Sequence, residues 1–214
     1  MTGALANARA LIIAISAYRS ARPLPEAIIH DAKDVAAILR SPERCGYDAD
    51  KVRTLLDGQA TRATILFELA ELARLARPDD TVCIYFSGQG WRAGGSEDSV
   101  LMPVEADRHD IAATTLAAAD LSDALHAIKA ALVIVILDAC HCGGAGTLKQ
   151  AFAENDKAGF SDKSITLLAN GTGRAIFASS RADETSLGPT LIQSQNARAV
   201  ARATPERKLA ASLS

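Results

Sequence analysis

Two apolar runs of this chain end in loops whose residue types can do chemistry. Val82–Phe86 (VCIYF) runs into Ser87-Gly88-Gln89-Gly90, and Ala131–Leu137 (ALVIVIL) runs into Asp138-Ala139-Cys140-His141-Cys142-Gly143-Gly144. Cys140 follows a buried strand directly and has glycines behind it. That is the position of a nucleophilic thiol with free backbone N–H groups nearby to hold an oxyanion. A small buried cysteine with a purely structural purpose is the alternative, and position alone does not choose between the two. Gln89 stands at the apex of the other loop, yet an amide does not titrate near neutral pH and cannot serve as a base.

Other chemistries fit these residues less well. Cys140, His141 and Cys142 are soft metal ligands. In direct succession they bite poorly, because paired zinc ligands are usually separated by about two to four residues. The Cys140–Cys142 spacing is also one residue short of a dithiol redox pair.

The elements that must position these loops are legible from periodicity. Continuous apolar runs at Leu11–Ser16, Thr81–Phe86 and Ala131–Leu137 read as strands covered on both faces, with Lys51–Leu56 and Ala175–Ser179 as further strands. Asp31–Arg40 places Ala32, Val35, Ala36 and Leu39 on one helical stripe. Thr61 caps a helix carrying Ile65, Leu69, Leu72 and Ala76 up to Pro78, and Asp120 is expected to cap another carrying Leu121, Ala124, Leu125 and Ile128. Gly88–Ser99 reads as a polar loop, Val100–Val104 as a short apolar piece, and Ala145–Gly173 as a weakly patterned stretch. Strands alternating with helices predict an α/β fold with a mainly parallel sheet and helices on both faces. In such sheets, sites form at the carboxyl ends of strands, where both loops lie. Pro189–Ser214 carries Arg198, Arg202, Arg207 and Lys208 against Glu206, and reads equally as an alanine-rich helix or an unstructured tail.

Totals narrow the classes. A chain of 214 residues, 49% of them hydrophobic, suits one domain with its own core. A net charge of −2 gives no reason to expect nucleic acid or an anionic membrane surface. No apolar run approaches the ~20 residues that span a bilayer. ALIIAIS imitates the apolar part of a signal peptide, but Tyr18-Arg19 stand where small residues should mark cleavage, so a first buried strand is the better reading. Cys45, Cys83, Cys140 and Cys142 show no scaffold spacing, which points to a reducing compartment, most simply the cytoplasm.

Five segments together resemble the caspase-fold cysteine peptidases, especially their metacaspase and prokaryotic branch: ALIIAISAY, HDAKDVAAIL, VCIYFSGQG, VIVILDACHCGG and AIFASSRADETS. They spread over residues 10 to 186. The resemblance implies a three-layer caspase-like sandwich over 1–186. Its large-subunit part would reach about 145, a link would occupy about 146–173, and a small-subunit part would begin over about 174–186, with a basic tail at 187–214. It implies Cys140 as nucleophile, with the N–H groups of Gly90 and Cys140 as the oxyanion hole. Asp31, Ser87 and Asp138 fall on positions that line the primary specificity pocket in metacaspases. Two carboxylates there favour Arg or Lys in a peptide or protein substrate and disfavour acidic residues. An acid near a helix N-terminus is the alternative for Asp31, but a coincidence of three positions would be needed to dismiss the pocket.

The departures from the family pattern matter as much. Gln89 stands where the family has its catalytic histidine, and loss of such a base costs several powers of ten in rate. His141 does not replace it, since the family keeps a histidine there besides the catalytic one. His30, His109 and His126 read as ordinary polar residues. A chain with Gln89 is expected to be inactive or severely impaired, as a natural pseudoenzyme or as a version inactivated on purpose. Cys142 stands for the family's usual serine. The family's final helix and strand are not recognisable in Leu187–Ser214, so an open sheet edge for a partner chain is expected.

The chemistry itself requires no cofactor, but the family implies calcium as an activator, for which Glu97 and Asp98 are the candidate ligands, with Glu105 and Asp107 beyond; a solvated acidic loop is the plainer reading. Lys149, Lys157 and Lys163 are candidate self-processing sites, against ordinary surface lysines. Two functions therefore compete: a cysteine endopeptidase domain for Arg or Lys, crippled at Gln89, and a protease-shaped module that binds basic peptides or an active homologue. A nucleotide-binding doubly wound domain is remote, because no G-x-G-x-x-G occurs.

Overall fold

Residues of alternating parity on the apolar strands face two different helix layers. The computed structural model describes residues 7–92, 96–107, 109–139, 157–158 and 160–179. Its elements run β1 (Ala8–Ala14), α1 (Ala27–Arg40), β2 (Val52–Leu56), α2 (Arg62–Leu75), β3 (Thr81–Ser87), β4 (Gly90–Arg92) and β5 (Val100–Leu101). Then follow α3 (Ile111–Thr114), β6 (Leu116–Ala117), α4 (Ala118–Ala127), β7 (Leu132–Asp138), β8 (Lys157–Ala158), α5 (Asp162–Ala169) and β9 (Arg174–Ala178). β2-β1-β3-β7-β9 form one sheet, parallel throughout, and β6-β5-β4-β8 form a small antiparallel one. The mainly parallel α/β sheet expected from the sequence is present.

Handedness decides which helix covers which face. From β1 the chain steps outward to β2, then returns past β1 to β3 and continues through β7 to β9. Crossovers between parallel strands are right-handed, so reversing direction switches the face. Ile29, Ala32, Val35, Ala36 and Leu39 of α1 accordingly pack on Ala10, Ile12, Cys83 and Tyr85 on one face. Leu69 of α2, Leu125 of α4 and Leu168 of α5 share the other face with Leu11, Ile13, Ile84, Phe86, Val133 and Val135. The strand order changes direction between β1 and β3, which opens a crevice at their carboxyl ends.

Several expectations are corrected. Asp120 is no cap: α4 starts at Ala118, and Asp120, in its first turn, pairs with Arg62 at 3.2 Å. Thr61 does cap α2, its side chain accepting the Thr64 N–H at 3.1 Å. The polar stretch after Gly88 contains β4, and the weakly patterned stretch contains β8 and α5. Ser161 caps α5, and a knot of buried serines ties it down. Ser161 N–H donates to Ser99 Oγ at 2.9 Å, and Ser99 N–H donates to Ser164 Oγ at 3.1 Å. The hydroxyls of Ser161 and Ser164 both donate to the Glu97 carbonyl. No helix among the described residues is long and apolar enough to cross a membrane.

Candidate active site

Both chemically suggestive loops leave neighbouring strands at the same level. Ser87 at the end of β3 is aligned with Asp138 at the end of β7. Cys83, Tyr85 and Ser87 alternate onto the α1 side of the sheet, and Ile136 and Asp138 follow the same parity on β7. Asp31 belongs to α1, the helix that covers this face. It is the fifth helical residue, beyond the first turn, so a helix-terminus role does not account for it.

The three residues expected to shape a pocket all act on Tyr85. Its phenol is buried, and burial first, then the Asp138 carboxylate and more weakly that of Asp31, push its pKa up, against a hydrogen bond with Ser87. Ser87 Oγ donates to Asp138 Oδ2 at 3.4 Å. Burial pushes the Asp138 carboxyl above the ordinary aspartate value, opposed by hydrogen bonds from Ser179 and Ser87. Its Oδ1 is buried and has no hydrogen-bond partner among the described residues. A buried carboxyl oxygen without a partner is costly on its own.

Gln89 is 4% exposed and bonded through its N–H, its carbonyl and its side-chain Nε2. Its backbone N–H donates to the Tyr18 hydroxyl oxygen at 2.6 Å, and its carbonyl accepts from Met102 N–H at 3.0 Å. Its side-chain Nε2 donates to the Arg22 carbonyl at 2.7 Å. The residue at the loop apex is thus anchored to the segment after β1.

Gly90 brings the two loops into contact. A Cβ there would stand 3.2 Å from the Ala139 Cβ and 3.5 Å from the Ala139 carbonyl oxygen. Gly88 N–H also donates to the Asp138 carbonyl at 3.2 Å. Gly90 lies opposite Leu101 on β5, and the flanking Met102-to-Gln89 bond makes this a non-hydrogen-bonded pair, so the Gly90 N–H points away from β5. Cys140, the expected nucleophile and second oxyanion donor, lies outside the described residues, as do His141, Cys142 and Lys149.

The remaining candidates lie elsewhere. Glu97 faces the buried guanidinium of Arg92 at 3.6 Å, and Asp98 pairs with Lys163 at 2.9 Å. Glu105 accepts the Arg62 N–H at 2.8 Å. Among the described residues no three His, Cys, Asp or Glu side chains gather as a cation site. Lys163 sits in the first turn of α5, and Lys157 lies in β8 opposite Arg92. Sequence reasoning missed the part that Tyr18, Arg22 and Asp57 play in holding the segment after β1; the local signals were an aromatic residue placed just past the strand and an Asp57-Gly58 turn after β2.

Comparison with known proteins identifies the family. A family model for the caspase domain, peptidase family C14, matches residues 7–208. Metacaspase-1 of Eremothecium gossypii is 28% identical over 158 residues, covering 65% of this chain and 32% of that protein. The chain thus spans about a third of that relative's length. A crystal structure of a Geobacter sulfurreducens protein superposes with a TM-score of 0.48 at 23% identity, covering 64% of this chain and 52% of the other.

Proposed function

The chain belongs to the caspase-domain peptidase family, and from that membership we propose a cysteine endopeptidase domain that recognises Arg or Lys and is impaired in turnover by Gln89. Cys140 is the nucleophile of this reading: its thiolate attacks the scissile carbonyl, the Gly90 and Cys140 N–H groups hold the oxyanion, and a thioester is then hydrolysed. The observation that favours this specificity is Asp138, buried with Oδ1 unpartnered among the described residues, in a group with Ser87 and Asp31. A guanidinium or ammonium entering there supplies the missing donor, whereas an acidic side chain adds a third negative charge.

Gln89 can hold a carbonyl or a water but moves no proton. Transfer to and from the thiol and leaving amine therefore lacks its shuttle, and the domain keeps binding while losing rate. One observation favours a second reading, a binding or regulatory module. Gln89 is built into the fold through its N–H, its carbonyl and its Nε2, as a residue selected for structure would be. The free thiols of Cys45 and Cys83 suit a reducing, cytoplasmic setting. Calcium as activator and a partner chain beside β9 complete the proposal.

The deciding experiment is hydrolysis of a fluorogenic peptide ending in arginine, with and without calcium. It compares this chain, Gln89→His, and Gln89→His with Cys140→Ala. Turnover that appears with the histidine and disappears with the thiol supports the peptidase. A folded Gln89→His protein with no turnover leaves the binding module.

A further inference from the structure

Tyr18 is 8% exposed and sends its hydroxyl oxygen to the backbone of the apex residue, 2.6 Å from Gln89 N. Gly88 leaves the room for this approach, since a Cβ there would lie 2.6 Å from the same oxygen. The segment that carries Tyr18 is itself pinned. Ser16 N–H and Ala17 N–H donate to Asp57 Oδ1 at 2.7 and 2.9 Å, and Ser16 Oγ adds a third bond at 3.2 Å. Arg19 N–H donates to the Val104 carbonyl at 2.9 Å, and Leu24 N–H to the Ser16 carbonyl at 2.8 Å. Asp57 holds φ at +44°, the one positive φ outside glycine among the described residues. That left-handed conformation is costly for most side chains and tolerated by Asp and Asn. A residue kept in it, with its carboxylate bonded to two consecutive N–H groups, is a clamp.

We infer that Tyr18 is a positioning residue of the active site: its oxygen, aimed by the segment that Asp57 clamps, fixes the N–H of residue 89 and so the direction of that side chain and of the Gly90 N–H beside it. Burial and the Asp57 charge keep the phenol neutral, against the pull of the Gln89 bond, so the bond it accepts does not change with pH over the working range. The structural part of this stands by itself; the catalytic part rests on the peptidase reading.

The test separates the two. Residue-resolved amide exchange by NMR is measured on the full chain, on Tyr18→Phe, on Asp57→Ala and on Asp57→Asn. Tyr18→Phe is expected to speed exchange of the residue 89 amide by about tenfold or more, as loss of one buried acceptor does. The amides of Val82 and Ile84, deep in β3, keep their rates. Asp57→Ala speeds exchange at Ser16, Ala17 and Gln89, while Asp57→Asn retains an acceptor oxygen and the φ tolerance and stays near the parent. Unchanged protection at residue 89 in Tyr18→Phe overturns the inference. In the Gln89→His background, Tyr18→Phe is expected to lower kcat about tenfold with KM nearly unchanged. A change confined to KM overturns the positioning role. Faster exchange at residue 89 together with an inactive Gln89→His parent overturns the peptidase reading and leaves the structural role of Tyr18 in place.

Discussion

The side-chain amide of Gln89 donates to the backbone carbonyl of Arg22 at 2.7 Å, so the apex residue has a fixed partner even without a base. An imidazole in its place is expected to reach the same carbonyl. Donating one ring N–H there sets the tautomer and leaves the other nitrogen as acceptor, which is the arrangement a catalytic base needs. Gln89→His is therefore expected to raise kcat/KM for an arginine peptide by about a hundredfold or more, with a rising limb near pH ~6.5 that the parent lacks. Steady-state kinetics between pH 5 and 9 check it, and an unchanged rate favours the module.

Asp138 is expected to cost stability in the free protein. Its folded pKa is raised by burial above the ordinary 3.8, so its proton is bound more tightly folded than unfolded. The corresponding stability is complete below about pH 4 and is lost as pH rises through the raised value. Asp138→Asn should thus raise Tm at pH 7 by a few degrees, roughly what 1 kcal/mol gives in a chain of this size. The gain should vanish toward pH 3, as thermal melts across that range will show.

The same substitution should weaken recognition. Asp31→Asn and Asp138→Asn are each expected to raise Kd for a peptide ending in arginine about 10- to 100-fold, the scale of one charge-assisted hydrogen bond. Titration calorimetry on the parent chain measures this without turnover, and equal affinity for all three proteins would remove both carboxylates from the pocket.

Cys83 should be silent to alkylation. Burial, with a smaller push from the Cys45 charge, takes its thiol up to about 12. At pH 8 its thiolate fraction is then on the order of one in ten thousand. Iodoacetamide followed by peptide mapping should mark Cys45 and Cys140 well before Cys83, and early labelling of Cys83 would contradict its burial.

Much of this architecture was legible as pattern. Leu11, Ile13, Ile84, Phe86 and Val133 belong to strands apolar on both faces, and that is why the strands were identifiable. β5, β6 and β8 span two residues each, too short for any period to show. α5 escaped notice because its apolar face is small, although Ser161 before Ile165 and Leu168 is a readable cap. Parity along β3 and β7 suffices to put Tyr85, Ser87 and Asp138 on one face, but Asp31 joins them only through the crossover that sets α1 there. The bonds from Asp57 to Ser16 and from Gln89 to Tyr18 bridge 41 and 71 positions, and no local pattern announces such pairs.

The serine knot at α5 also settles how this protein would behave once cut. A break between residues 146 and 156 severs one covalent link, while β9 stays paired along β7 and Ser161 and Ser164 stay bonded to Glu97 and Ser99. The nicked molecule is held by its own folded interior, much as two halves of a split protein hold each other. It would elute from a sizing column as one particle and run as two bands only after denaturation.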